Sequence, residues 1–174
     1  PWAGPVCAAA VILNPADPIA GLADSKRLSA AARERLEPQI KARALAYSVV
    51  FVSAADIDRV NIRRATHQAM QRAVAELSLA PGFVQIDGND APVMPCPAEA
   101  IIKGDGKIAC ISAASILAKT ARDRLMITLD QDWPGYGFAQ HKGYGVAAHA
   151  EALARLGPCP EHRMSFRPVA LARR

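Results

Sequence analysis

Short apolar runs alternate along this chain with longer segments whose apolar residues recur at helical spacing. The runs at 5–13, 46–54, 83–87 and 98–102 predict strands, because buried strands consist of short, nearly continuous stretches of apolar residues. Strands that alternate with helices favour a layered α/β fold.

Four segments predict helices, at 29–45, 56–77, 107–131 and 146–157. Ser29 is the expected N-cap of the first, and Pro38 should kink or interrupt that helix. The second is predicted as one long helix with an apolar stripe of Ile62, Ala65, Ala69, Ala73 and Leu77. We expect Gly157 to cap the last helix, and 133–145 to be a loop.

One face of the third helix carries polar side chains. On a helical wheel, Ser112, Ser115, Lys119 and Asp123 fall within roughly 80° of one another. Hydroxyls and a lysine position a phosphate backbone without reading the bases. The alternative is a solvated face with a Lys119–Asp123 pair, although such a face more often carries Glu, Gln, Lys and Arg than Ser. A second stripe is expected to pack closely on a sheet: Ala114, Ala118, Ala121 and Leu125.

Two predicted strands end at an aspartate beside a glycine. Asp87 precedes Gly88, and Asp105 follows Gly104. Sites in open α/β sheets are assembled at the carboxyl ends of strands, where glycine lets a ligand approach the backbone. Neighbouring carboxylates repel unless a cation lies between them, and Mg²⁺ takes one or two carboxylates together with water and phosphate oxygens. The alternative is that both aspartates only cap loops.

Aromatic and basic residues cluster in the segment YGFAQHKGYG: Tyr136, Phe138, His141, Lys142 and Tyr144. Aromatic rings among basic residues can stack on sugars or bases. Packing within the protein is the commoner role of such a loop. Both interpretations stay open from the residues alone.

Composition narrows the class of protein. The 174 residues have a formal net charge of +5 and an isoelectric point near 9.3, which suits a polyanionic partner without establishing one. This length fits one compact domain.

The four cysteines are far apart and include no CxxC pair, so we expect free thiols in a reducing cytoplasm rather than zinc or disulfides. No apolar run reaches the roughly 20 residues of a membrane span, and no signal peptide is visible, so no membrane partner is expected.

Seven motifs in register from Pro1 to about Val169 resemble ribonuclease HII, the type 2 ribonuclease H of bacteria. They are AGPVCAAAVIL, LADSKRLS, DIDRVNI, IDGN, PAEAIIKGDGKIACISAASILAKTARDR, YGFAQHKGY and LGPCPEHRMSFRPV. The resemblance implies an α/β, ribonuclease H-like fold in a single domain over 1–174, with a mixed central sheet flanked by helices. Residues 145–174 would form a C-terminal helical extension and tail.

The same resemblance implies an enzyme of the cytoplasm that acts as a monomer on nucleic acid. It would cleave RNA in RNA–DNA hybrids and incise 5′ to a single ribonucleotide embedded in duplex DNA. The products would carry a 3′-hydroxyl and a 5′-phosphate. The implied chemistry is two-metal-ion phosphodiester hydrolysis with Mg²⁺ or Mn²⁺.

The resemblance also implies roles for the residues of this chain that match the functional positions of the family. Asp87 matches the third of four metal-binding carboxylates and Asp105 the fourth, with Asp123 as an alternative or outer ligand. Tyr144 matches the tyrosine that packs on the sugar at the ribonucleotide–DNA junction. The further substrate-binding candidates are Lys26, Ser112, Ser115, Lys119, His141 and Lys142. This chain departs from the family at Gly145-Val146, where Pro-Thr is usual, and at Gly106, where alanine is commoner.

The family has a strand directly before the position of Pro1, ending in Asp-Glu-x-Gly-Arg-Gly. That segment supplies the first two carboxylates and reads the ribose 2′-hydroxyl. We expect residues 1–174 alone to be inactive and to fold poorly, because each buried backbone group left without a partner costs about 1–3 kcal/mol. The alternatives are a non-catalytic nucleic-acid-binding module of the same fold and a subunit that borrows a strand from a partner.

Overall fold

Strands and helices alternate through the part of the chain that the computed structural model describes, residues 1–22 and 27–172. These residues form β1 (Val6–Ile12), α1 (Ala30–Arg43), β2 (Ala46–Val52), α2 (Ala54–Val60), α3 (Ile62–Ala75), β3 (Val84–Asp87), β4 (Ala98–Ile101), α4 (Ala109–Asp132), α5 (Phe138–His141), α6 (Ala147–Leu156) and α7 (Arg167–Leu171). The four predicted strands and the α/β class are confirmed.

The described strands pair two by two. β1 lies beside β2, and β3 is hydrogen-bonded to β4. The second pair is parallel, with Val84 opposite Ala98 and Asp87 opposite Ile101. Because parallel strands run in the same direction, the carboxyl ends of β3 and β4 lie at one edge of their sheet.

The chain divides into two compact units. The central unit comprises 7–50 and 67–120, and the terminal unit comprises 1–6, 51–66 and the residues from Ala121 onward. Whether the chain is one domain, with 145–174 as an extension of it, stays a prediction.

The core of the central unit lies between α1 and the first half of α4. Its buried side chains are Leu36, Ile40, Ala113, Ile116 and Leu117. Partly buried residues of β1 and β2, among them Val11 and Val49, pack against them. Ser29 caps α1 as predicted, since its hydroxyl accepts from the Ala32 N–H at 3.2 Å.

The terminal unit has a core of its own, built around the second half of α4. Its buried residues are Ala3, Met126, Leu129, Tyr136, Phe138, Ala152 and Cys159. The Tyr136 and Phe138 rings stack with their centroids 5.3 Å apart. For these two rings the packing interpretation of the aromatic loop is correct.

The prediction of one helix over 56–77 is wrong, because the helix breaks at Asn61. Asn61 has a φ of 74°, a backbone conformation that no helix contains. Its side chain accepts from the Arg64 N–H at 3.1 Å and so caps the start of α3. The predicted apolar stripe survives in α3, where Ala65, Ala69 and Ala73 are buried.

Pro38 does not interrupt α1, which runs without a break from Ala30 to Arg43. Pro38 lies on the exposed face of the helix. The carbonyl that loses its partner there can be hydrated, while Leu36 and Ile40 anchor the opposite face in the core.

Two boundaries near the C-terminus also differ from prediction. The segment 133–145 contains the one-turn helix α5, and α7 follows α6, so α6 is not the last helix. Gly157 is the C-cap of α6 as predicted, with a φ of 73°.

The small-residue stripe predicted for α4 does not form the buried face. Ile111, Ile116 and Leu117 are buried there, whereas Ala114 and Ala118 keep part of their surface exposed. Larger aliphatic side chains gain more from burial, so they decide which face of the helix packs.

Truncation of the core should therefore depend strongly on position along α4. Ile116 is fully buried and Ile127 is 46% exposed. We expect Ile116→Ala to lower the free energy of unfolding by about 2–5 kcal/mol, and Ile127→Ala to change it by less than about 0.5 kcal/mol. Urea denaturation followed by circular dichroism measures both. Equal losses in the two variants would contradict this packing.

Candidate active site

Two carboxylates meet the same edge of the β3–β4 sheet. Asp87 is the last residue of β3, and Asp105 follows the end of β4. The Gly88 N–H donates to the carbonyl of Ile101 at 3.1 Å, which continues the parallel pairing past Asp87. The Gly104 N–H donates to Asp87 Oδ1 at 2.9 Å. A backbone donor from the β4 side therefore fixes the Asp87 carboxylate.

A tight turn presents Asp105. Residues Gly104–Gly106 form a single 3₁₀ turn, and Lys103 before it is left-handed with a φ of 56°. A Cβ at Gly104 would lie only 2.6 Å from Cδ1 of Ile111, so glycine lets the turn approach α4. Asp105 is 3% exposed. Gly106, a departure from the family pattern, is exposed at the end of the turn.

The chemistry of these two donors fits a hard divalent cation. Mg²⁺ and Mn²⁺ prefer carboxylate oxygens, and Mg²⁺ binds through one or two carboxylates while water and phosphate complete its shell. Within 1–22 and 27–172, no group of three or more His, Cys, Asp or Glu side chains could hold a metal ion. The carboxylates of Asp87 and Asp105 have the donor chemistry that such an ion prefers, and their joint binding of one stays a prediction.

The polar face of α4 starts beside this turn. The Ile108 N–H donates to the carbonyl of Gly104 at 2.8 Å, and Ser112 follows one helical turn later. Ser112 is buried, whereas Ser115 and Lys119 keep part of their surface exposed. Ser115 and Lys119 are therefore better placed than Ser112 to contact a phosphate. Asp123 is half-buried on the same helix, and Lys26 lies outside the described residues.

Tyr144 is the exposed aromatic residue of the loop that follows α5. It is 46% exposed, and the guanidinium of Arg122 lies 5.7 Å from its ring centroid. His141 and Lys142, which were predicted to bind substrate with it, form hydrogen bonds within their own segment. His141 Nε2 donates to the carbonyl of Tyr136 at 2.8 Å, and Lys142 Nζ donates to the carbonyl of Ala139.

The ring of Trp2 lies against Gly145. A Cβ at Gly145 would overlap the indole, and the Trp2 N–H donates to the carbonyl of Gly143 at 2.7 Å. The glycine at 145, one of the two departures from Pro-Thr, therefore lies where the Trp2 indole leaves no room for a side chain.

Two buried arginines hold the backbone of residues 3–5. Arg122 donates to the carbonyls of Ala3, Pro5 and Lys142, each at 3.1 Å. Arg163 donates to the carbonyl of Gly4 at 3.0 Å. Burial, with Arg122 nearby, lowers the pKa of Arg163 to about 10, so the Arg163 guanidinium stays charged at neutral pH. Nothing in the apolar pattern marked these two residues.

The sequence patterns also did not predict a buried pair of histidines. His149 and His162 are both fully buried, and their Nε2 atoms lie 3.0 Å apart. Only the distances in the folded protein identify these two histidines as a hydrogen-bonded pair. Single histidines in HAEALARLG and CPEHRM carry no signal in the sequence.

The four cysteines, all within the described residues, are free thiols as expected. Burial raises the pKa of Cys159, so its thiol stays protonated at neutral pH. Among the described residues, no helix is long and apolar enough to cross a membrane.

The stability of the protein should fall in mild acid because of His162. Burial, and to a lesser degree His149, lowers the pKa of His162 to about 4. The unfolded chain takes up a proton near pH 6.5 and the folded protein does not, so stability falls from pH 6.5 towards pH 4, by about 3 kcal/mol for this residue. Urea midpoints between pH 7.5 and 4.5 should fall less steeply for His162→Gln. A His162 ring that titrates above pH 5.5 in NMR spectra would contradict this.

Comparison with solved structures identifies the fold. Ribonuclease H2 from Pyrococcus horikoshii OT3 superposes with a TM-score of 0.82 at 22% identity, covering 99% of this chain and 91% of that one. Ribonuclease HII of Archaeoglobus fulgidus, solved as a complex with PCNA, gives 0.73 at 24% identity over the same shares. A Bst ribonuclease HIII in complex with Mn²⁺ gives 0.75 at 20% identity, over 98% of this chain and 65% of that one.

Comparison of sequences identifies the family. The family model for ribonuclease HII matches residues 1–169. Ribonuclease HII of Hyphomonas neptunium is 56% identical, over 97% of this chain and 89% of that protein. Ribonuclease HII 1 of Methylibium petroleiphilum is 57% identical, over 99% of this chain and 88% of that protein. The chain therefore belongs to the ribonuclease HII family of ribonucleases H and has their fold.

Proposed function

We propose that this protein is an endoribonuclease that cleaves the RNA strand of RNA–DNA hybrids and incises 5′ to single ribonucleotides embedded in duplex DNA. Its products would carry a 3′-hydroxyl and a 5′-phosphate. Membership of the ribonuclease HII family and the ribonuclease H fold support activity on RNA–DNA hybrids. The observation that carries the proposal is the parallel pairing of β3 and β4, which ends with Asp87 opposite Ile101, together with the hydrogen bond from the Gly104 N–H, next to Asp105, to Asp87.

Asp87 and Asp105 would hold the divalent ion, Mg²⁺ or Mn²⁺. When bound, such an ion activates the attacking water and stabilises the leaving oxygen of an in-line phosphodiester displacement. The Gly104 N–H keeps the Asp87 carboxylate in one orientation. The burial of Asp105 excludes bulk water from its side. We favour Asp105 over Asp123 as the fourth carboxylate, because Asp105 lies in the turn after β4 and its neighbour Gly104 donates to Asp87.

The substrate would be held by contacts of two kinds. Ser115 and Lys119, with Ser112 beneath them, offer hydroxyl and ammonium donors to the phosphate backbone, and such contacts position a strand without reading its bases. The exposed ring of Tyr144 would pack on the sugar at the ribonucleotide–DNA junction. Discrimination between RNA and DNA at that sugar depends on its 2′-hydroxyl. The action of the protein as a monomer in the cytoplasm stays a prediction.

The first test removes the charge of Asp87. We expect Asp87→Asn to lower the cleavage rate of a duplex with one embedded ribonucleotide by at least about 100-fold, because the developing charge at the phosphate loses its counter-ion site. Asp90→Asn is the matched control. Asp90 follows Asp87 by three residues but pairs with His67 at 3.3 Å, so its loss should leave the rate within about twofold.

The assay compares residues 1–174 with the same chain extended at Pro1 by the family's Asp-Glu-x-Gly-Arg-Gly segment, each with EDTA and with Mg²⁺ or Mn²⁺. Cleavage by the extended chain that requires the ion supports the proposal. Binding of the duplex without cleavage in either form would support the non-catalytic alternative. Cleavage by Asp87→Asn at the wild-type rate would contradict the assignment of the site.

A second test concerns Lys119. If its ammonium contacts a phosphate, Lys119→Ala should reduce the slope of log affinity against log salt by about 1. Lys41→Ala is the matched control, because the partly exposed Lys41 ammonium is already paired with the buried Glu37 carboxylate at 2.7 Å. Fluorescence anisotropy of a labelled hybrid over a salt series measures both slopes. Equal slopes for the two variants would remove Lys119 from the interface.

A further inference from the structure

The buried histidines of the terminal unit form a chain of hydrogen bonds that ends at the carbonyl of Tyr144. His149 Nδ1 lies 2.9 Å from that carbonyl oxygen. His149 Nε2 lies 3.0 Å from Nε2 of His162. His162 Nδ1 lies 3.1 Å from the backbone nitrogen of Cys159. Each ring nitrogen of the pair therefore has a defined partner, and His162 Nδ1 also lies 3.2 Å from the Cys159 sulfur.

The partners determine where each proton lies. A carbonyl oxygen can only accept, so His149 Nδ1 carries the proton that it donates to Tyr144. The backbone N–H of Cys159 can only donate, so His162 Nδ1 is unprotonated and accepts this hydrogen bond with its lone pair. His162, as a neutral ring, must then carry its proton on Nε2 and donate it to His149 Nε2. One arrangement of tautomers satisfies all of these bonds, and in it both rings are neutral.

Neither ring can take up a second proton without breaking this chain. A proton on His149 Nε2 would face the proton on His162 Nε2, and a proton on His162 Nδ1 would face the Cys159 N–H. The pKa values of both histidines are lowered, chiefly by burial, with His141 adding to the effect. The titratable groups near the pair include His141, stacked on His149 with ring centroids 4.3 Å apart, and the Cys159 thiol at 3.2 Å from His162 Nδ1. They also include Tyr136, whose ring centroid is 5.0 Å from that of His162, and the amino group of Pro1, whose charge also lowers the pKa of His149.

The positions of these protons and the burial of Cys159 argue against two other roles, a metal site and a nucleophilic cysteine. A metal ion between the facing Nε2 atoms would need a lone pair on His162 Nε2, which the Cys159 N–H excludes. Cys159 is not an activated nucleophile, because burial raises the pKa of its thiol and the thiol is buried. The histidine chain is therefore a purely hydrogen-bonding structure.

At its far end, the chain holds the segment that carries Tyr144. The Tyr144 carbonyl accepts from His149 and also from the Val146 N–H at 3.0 Å. The Tyr144 N–H donates to the carbonyl of His141 at 2.9 Å. Both backbone groups of Tyr144 are thus fixed, while its ring remains 46% exposed.

We infer that His149 and His162 are positioning residues for Tyr144, and that their neutral hydrogen-bonded chain sets the direction in which the tyrosine ring meets the substrate sugar. This inference rests on the proposed function only in its last clause, because the assignment of tautomers is independent of the substrate. His149 touches the Tyr144 backbone directly, and His162 acts through His149 by donating to it.

Two substitutions at position 149 separate positioning from stability. In His149→Asn, the side-chain amide overlays Nδ1 and can still donate to Tyr144, but it cannot accept from His162. In His149→Gln, the amide overlays Nε2 and can accept from His162, but it leaves the Tyr144 carbonyl without that donor. Leu153→Ala is the matched control, because Leu153 is buried on the same helix and its side chain has no polar atom.

The readout is the affinity for a duplex with one embedded ribonucleotide, measured by anisotropy in EDTA, together with thermal melting. We expect His149→Gln to weaken binding roughly 10-fold, because Tyr144 is misplaced. His149→Asn should bind within about twofold of wild type but melt at a lower temperature. Leu153→Ala should also lower the melting temperature with little loss of affinity. Affinity that follows melting temperature across the three variants would show a structural role only and overturn the inference.

NMR of ¹⁵N-histidine-labelled wild-type protein provides the independent test. We expect the proton of His149 on Nδ1 and that of His162 on Nε2, both unchanged from pH 8 to pH 5.5. The opposite tautomers, or a charged ring in that range, would overturn the inference. If these tautomers are found but the wild-type protein does not distinguish the ribonucleotide duplex from plain DNA, the proposed function fails while the histidine chain stands.

Discussion

The parallel hydrogen bonding of β3 to β4 is the constraint on which the candidate site depends. It aligns Asp87 with Ile101, so the chain must turn at Lys103–Gly104 just where the two strands end together. The Gly104 N–H can then reach Asp87, and the same turn buries Asp105 and starts α4. A slip of one residue in this register would turn Asp87 to the opposite face of the sheet.

The terminal unit achieves its order by a different means, the satisfaction of buried polar groups by backbone. The guanidiniums of Arg122 and Arg163 donate to carbonyls of residues 3–5. These hydrogen bonds offset the unfavourable free energy of burying a charged group. His149 Nδ1 likewise donates to a backbone carbonyl, that of Tyr144. Such contacts fix the course of the main chain rather than adding bulk to the core, and they lie around the turn that presents Tyr144.

The sequence predicted all four strands, Ser29 and Gly157 as caps, and Asp87 and Asp105 at one edge, because apolar runs and glycine–aspartate pairs are local signals. It failed where a local pattern was overridden. Asn61 ends α2 and caps α3, directly before the apolar stripe that begins at Ile62. His149, His162 and the two arginines could not be found, since their partners are distant in sequence and the apolar pattern is silent about them. The roles of Ser112 and Lys119 rest on the polar face of α4 and that of Tyr144 on the family resemblance, and all three stay predictions.

The contact between Trp2 and Gly145 couples two positions that are far apart in sequence. The indole fills the space that a side chain at 145 would occupy, so the two sites share one volume. A larger residue at 145 requires either that the Trp2 indole moves or that residue 2 becomes smaller. Homologues with Pro-Thr after the tyrosine should therefore carry a slimmer residue at the position of Trp2, and grafts between family members should exchange both segments together.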